Sequence, residues 1–308
     1  MLKLSQRGWM MNRATMAAVW ALFPMVSAQA FDFPDISPEE AKTSVLQSGE
    51  TGGIDWTNGF IYAKGEGVPM AGLQHKGQAR LTAQRAAKID AERNLLEMVK
   101  GVQIDSNSTV DNFMLTSDVI KTSVSGVLKG FQIVPNPATG EEYAYLSDGT
   151  VRVTIRIPLN GFGGLSEVLL PSPEQGSGNK GGGKDKVKKK ETTGDGVRTG
   201  LVVDAKGLKI KPALRPRLLD EDGEEVYGTG SVDRDYAIRV GVAGYLKDVE
   251  KAEEHERVAD NALVIKGLRP EGPARTDVVL SQEDADQIRK MARKMSFLDQ
   301  CRVIYVID

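Results

Sequence analysis

The chain has 308 residues, 40% of them apolar and 27% charged, which is the balance of a folded protein of about two domains rather than of a disordered chain or a fibrous rod. Forty basic against 42 acidic residues give a net charge of -2, so no basic field of the kind nucleic acid requires is expected. Two histidines and one cysteine leave too few ligands for a typical zinc or iron–sulfur site.

Residues 1–30 read as an export signal. Lys3, Arg7 and Arg13 form a basic start, residues 14–26 are apolar, and Ala28-Gln29-Ala30 supplies the small residues a signal peptidase reads, so cleavage is predicted after Ala30. The apolar run is short of the roughly twenty residues that span a bilayer, so the mature chain is expected to carry no transmembrane helix. Its charge becomes -5 once the three bases of residues 1–30 are removed. Export with a single cysteine, Cys301, excludes an intramolecular disulfide and points to a periplasmic setting. Cys301 itself reads as a small buried residue at the start of a strand.

Residues 31–170 are expected to form one α+β domain. Residues 31–48, with Pro34 and Pro38, read as a lead-in, and residues 54–64, with Trp56, Phe60 and Tyr62, as a strand. From 77 to 100 the spacing of Ala79, Ala83, Ala87, Ala91, Leu95 and Met98 predicts a helix, stopped at Gly101, whose small-residue stripe packs closely on a sheet. A short second helix is predicted over 109–122 and a strand over 124–134. Asp148-Gly149 predicts a hairpin between strands at 143–146 and 151–157, the latter alternating Val151, Val153, Ile155 and Ile157 on one face.

Residues 171–197 hold no aromatic and few apolar side chains and are expected to form a disordered, flexible Gly/Lys-rich linker. Gly178 to Lys184 matches the start of a phosphate loop, but Asp185 stands where a hydroxyl is needed, and the match reads as chance. Residues 198–308 are expected to be a second α+β domain. Its predicted parts are a strand at 201–203, a hairpin turning at Asp222-Gly223, a helix over 242–257, short strands at 263–265 and 278–280, a Ser281-capped helix to about Met295, and a buried strand at 302–307.

No catalytic constellation emerges, and no residue is assigned a catalytic, cofactor-binding or metal-binding role. His75 and His255 have no nucleophile beside them in sequence and read as solvated surface residues. Asp220 to Gly223 lacks the spacing of a calcium loop. A pocket lined by Trp56, Tyr62 or Tyr236 would favour a binding role.

The run from Ala83 to Glu97, then Val99-Lys100-Gly101-Val102 and Thr109-Val110, resembles the signature of the twenty-kilodalton outer-membrane lipoprotein family, which includes the flagellar assembly proteins P and T. Gly126 to Gly130 and the strand at 151–157 are similar as well, and residues 199–227 resemble the C-terminal region of longer members. The resemblance implies a long helix on a small antiparallel sheet, and a non-enzymatic periplasmic structural or assembly protein of the cell envelope, peripheral to the outer membrane. A flagellar outer ring is one candidate assembly. It further implies envelope protein partners, flagellar components among them, and homo-oligomerisation. No cofactor is expected, since the chain carries no motif for one, and no nucleic acid, on the charge balance. The chain lacks the family's lipid-accepting cysteine. The alternative is a periplasmic binding module for a small ligand or peptidoglycan.

Overall fold

A computed structural model describes residues 31–72, 75–170, 198–259 and 261–308. The expected export signal and linker lie outside the described residues.

In the first unit, Ser37 caps the short helix α1 (Pro38–Thr43) through a full capping box with Glu40. Three strands follow, β1 (Leu46–Ser48), β2 (Gly52–Asp55) and β3 (Phe60–Gly67). The single strand expected over 54–64 is therefore two, because Asp55 accepts the backbone N–H groups of Thr57 and Asn58 and turns the chain. The long helix α2 (Lys76–Lys100) ends at Gly101 and buries Ala83, Ala87, Ala91 and Leu95, as the spacing predicts, but Ala79 and Met98 are only half-buried and Val99 takes the last buried position.

Next come β4 (Gln103–Asp105), β5 (Ser108–Thr109), α3 (Val110–Thr116) and α4 (Asp118–Lys129). Residues 124–129 belong to α4 and not to the expected strand. Ser117 caps α4, Val124 and Val127 are buried one turn apart, and only β6 (Gln132–Ile133) is extended. The hairpin of β7 (Tyr143–Tyr145) and β8 (Val151–Pro158) forms as expected, and α5 (Leu165–Leu169) closes the unit. The antiparallel sheet runs β1-β2-β3-β8-β6, with β7 also on β8.

Helix α2 lies on β3 and β8, and the approach is closest at two strand glycines. A Cβ on Gly65 would sit 2.2 Å from the Ala91 nitrogen, and one on Gly67 would sit 2.1 Å from the Ala83 oxygen. Alanines on the helix therefore face glycines on the strand, and the two backbones touch.

The second unit holds β9 (Gly200–Asp204), β10 (Leu218–Leu219), β11 (Glu225–Tyr227), α6 (Arg234–Val240), β12 (Gly244–Leu246), α7 (Val249–Glu253), β13 (Ala262–Lys266), β14 (Arg269–Glu271), β15 (Asp277–Val279), α8 (Gln282–Ala292) and β16 (Val303–Val306). Four parallel strands order as β12-β16-β9-β13, and a mixed sheet orders as β11-β10-β15-β14. The two inner parallel strands are apolar without alternation: Leu201, Val202 and Val203 on β9 are buried, as is the whole of β16. The helix expected over 242–257 is replaced by β12, whose Gly244, Tyr245 and Leu246 pair with Ile304, Tyr305 and Val306, and by the five-residue α7 capped by Asp248. Helix α6, capped by Asp233, had no counterpart in the sequence reading. Helix α8 is capped by Ser281 as expected. Both units are thus α+β.

The units are packed together over one hydrophobic core that runs from Val45 to Ile307. Backbone hydrogen bonds cross between them: Lys247 N–H to the Thr43 carbonyl, Leu214 to Gln103, Arg215 to Ile104, Ala274 to Ser106 and Gly161 to Ile238, all between 2.6 and 3.1 Å. Trp56 meets Tyr245 edge to face at 5.8 Å, and Arg215 pairs with Asp105 at 2.7 Å.

Candidate functional site: a cleft between the units

The β2–β3 turn and the loop after β8 face the end of α6 across an open cleft of about 210 Å³. The first unit contributes Trp56, Thr57, Asn58, Phe60 and Asn160, and the second Arg239, Ala243, Gly244 and Arg257. Among the described residues that line it there is no carboxylate. Asp55, at the base of the turn, is buried and committed to Thr57 and Asn58, and its carboxyl is pushed up by burial.

Arg257 is fixed by the backbone around it. Its Nε donates to the Cys301 carbonyl at 2.8 Å, and its two terminal nitrogens donate to the carbonyls of Val240 at 2.7 Å and Gly241 at 2.6 Å. Two of those carbonyls belong to the C-terminal end of α6, where a cation is favoured by the helix dipole. Burial holds the guanidinium below its ordinary pKa, and its compensation comes from carbonyls, with no ion pair to a carboxylate within 4 Å among the described residues. Gly244 leaves the room: a Cβ there would lie 3.2 Å from Arg257 Cδ. Arg239 is exposed, stacks 4.7 Å from the Tyr236 ring centroid, and donates from Nε to the Asp235 carbonyl.

Asn160 spans the gap. Its side-chain oxygen accepts from Ser166 at 2.6 Å, and it stands where any side chain on Gly241 would be, 2.8 Å from that position, at a residue with φ of +78°. Glycine is required there both by the left-handed backbone and by the contact across the units.

The candidate residues from the sequence fall in different places. Trp56 lines the cleft. Tyr62 belongs instead to a buried cluster with Phe31 and Phe33 on the far side of the sheet, and its hydroxyl is pushed up to about 12 by burial. Tyr236 supports Arg239 without lining the cleft. His75 is exposed at the start of α2. His255 is half-buried rather than solvated: its Nδ1 accepts the Arg257 backbone N–H at 3.1 Å, and burial lowers its pKa from 6.5. Cys301 is buried, with its thiol pushed up to about 11 by burial. Asp220 braces the β10–β11 turn through the N–H groups of Asp222 and Glu224 and pairs with Arg289 at 2.7 Å. Among the described residues no group of three or more His, Cys, Asp or Glu could hold a metal ion, and no helix is long and apolar enough to cross a membrane.

Residues 200–308 match a family model described as Treponema pallidum Tp0624, second domain. The match runs from the start of β9 through the end of the second unit, so the half of the cleft that carries Arg239 and Arg257 lies in the Tp0624-like unit. Among curated proteins, no sequence matches.

Proposed function

We propose that the chain is a non-enzymatic periplasmic protein that builds or braces an assembly of the bacterial cell envelope, a flagellar outer ring being the candidate that the lipoprotein-family resemblance suggests. One observation carries the reading: the first unit's helices are docked by their inner faces, yet they present large apolar side chains to solvent. Leu81 and Ile89 on α2 are 57% and 60% exposed, and Leu115 and Val119, on α3 and α4, are 79% and 70% exposed. Apolar side chains held in water raise the free energy of the lone protein, and covering them with a second protein lowers it. The export signal read in residues 1–30 supports the location, and the long helix on an antiparallel sheet is the arrangement the resemblance implies.

Light scattering after size exclusion tests the proposal, together with envelope imaging in a deletion strain. Self-association that Leu81→Glu with Ile89→Glu, or Leu115→Glu with Val119→Glu, abolishes at unchanged melting temperature is the expected result. A strictly monomeric protein and an unaltered envelope in the deletion strain would overturn it.

A further inference from the structure

Two arginines stand at the cleft between the units. Arg257 is held in place by three backbone carbonyls, so three of the five N–H groups of a guanidinium are engaged and two remain without a partner among the described residues. Arg239 is oriented by its own helix and by Tyr236, and it too has no carboxylate within ion-pair distance among the described residues. In a chain where acids outnumber bases, a cleft walled by two arginines and no carboxylate is a positive site whose charge is met by backbone carbonyls and by no acid side chain among the described residues. Its remaining polar walls are neutral, with Thr57, Asn58 and Asn160 from the opposite unit.

The C-terminal end of α6 favours both cations, Arg239 in its last turn and Arg257 on its last carbonyls, but it does not explain why both sit where water can reach an open concavity. We infer that this cleft binds a small oxyanion, a carboxylate or phosphate group, clamped between Arg239 and Arg257 of the second unit and closed by the amide and hydroxyl groups of the first. A guanidinium fork suits the two oxygens of either group, and charge-assisted bonds of this type are the strong ones. The site is built from both units and is independent of the assembly role proposed above. Its ligand would bridge them.

Trp56 reports on the cleft. The chain's other tryptophans are Trp9 and Trp20, so in the full chain carrying Trp9→Phe and Trp20→Phe the only indole lines the site. Its fluorescence is followed while inorganic phosphate or succinate is added at constant ionic strength set with chloride. The expected result is a saturable change with at least one of the two. Which of them saturates at lower concentration identifies the oxyanion. Arg239→Gln should weaken that binding about tenfold or more, with the melting temperature unchanged because the residue is exposed. Arg257→Lys, which keeps charge but loses the fork, should weaken it as well. No saturable change with either anion, an identical change with chloride, or a midpoint that Arg239→Gln leaves in place would overturn the inference.

Discussion

Three buried tyrosines of the second unit make opposite demands on the core. The Tyr245 hydroxyl donates to the Ala213 carbonyl at 2.7 Å and accepts its N–H at 3.0 Å, and the Tyr227 hydroxyl donates to the Val242 carbonyl. The Tyr305 hydroxyl is buried with no partner among the described residues. Leaving such a group unpaired costs about 1–3 kcal/mol, so Tyr305→Phe is expected to raise the free energy of unfolding in urea, whereas Tyr245→Phe lowers it. His255 carries the pH dependence of the same neighbourhood. Its folded pKa lies below 6.5, so the unfolded chain binds the proton more readily. The stability it contributes is present above 6.5 and is lost as pH falls through the lower folded value. Protonation also turns its Nδ1 from an acceptor into a donor facing the Arg257 N–H. Melting temperature followed from pH 7.5 to 5 should therefore fall less in His255→Asn than in the parent. The sequence could not place His255, because the acids beside it suggested solvent, while its burial comes from the fold around Arg257.

At the scale of elements, the contact of α2 with β3 is the tightest packing in the first unit. Ala91→Leu forces extra volume between touching backbones and is expected to cost on the order of 1–3 kcal/mol. Gly67→Ala should cost at least as much, since the added carbon meets helix backbone that cannot swing aside, while Arg85→Ala on the exposed face stays within about 0.5 kcal/mol. Thermal unfolding of the three variants checks the order. The alanine stripe that specifies this helix is readable from a period of three to four residues, but its complement, Gly65 and Gly67, is not, because a glycine in a strand carries no facing signal of its own. The same limit explains α4 and β12. Val124 and Val127 favour strand by their branching and are overruled by the Ser117 cap and by burial, and residues 242–246 follow a helical spacing that pairing with β16 replaces. The Ser281 cap and the Asp148-Gly149 turn are legible in the sequence because their side-chain hydrogen bonds are local.

For the whole molecule, the decisive feature is that the units share a core and main-chain hydrogen bonds. Residues 31–170 and 198–308 made as separate chains in one cell are expected to purify together as an equimolar pair, and size exclusion with mass analysis checks this; two pieces that elute apart would refute the docking. Composition marked two units but not their contact, since Thr43, Gln103, Ile104 and Ser106 join them through backbone carbonyls that any residue type could offer. The cleft was partly legible. Trp56 stood out by type, whereas Arg239 and Arg257 are two among forty bases until the fold sets them on one wall. The sheets also dictate how the protein reaches this state. Residues 60–67 wait for residues 151–158, and residues 200–204 wait for 303–306, before either sheet gains its central pairing. Closing gaps of that length exacts chain entropy before any ladder returns it. Refolding from denaturant should accordingly be slow, on the scale of milliseconds to seconds, and until β16 slots in, β9 stays open along one side as a template for unwanted strands.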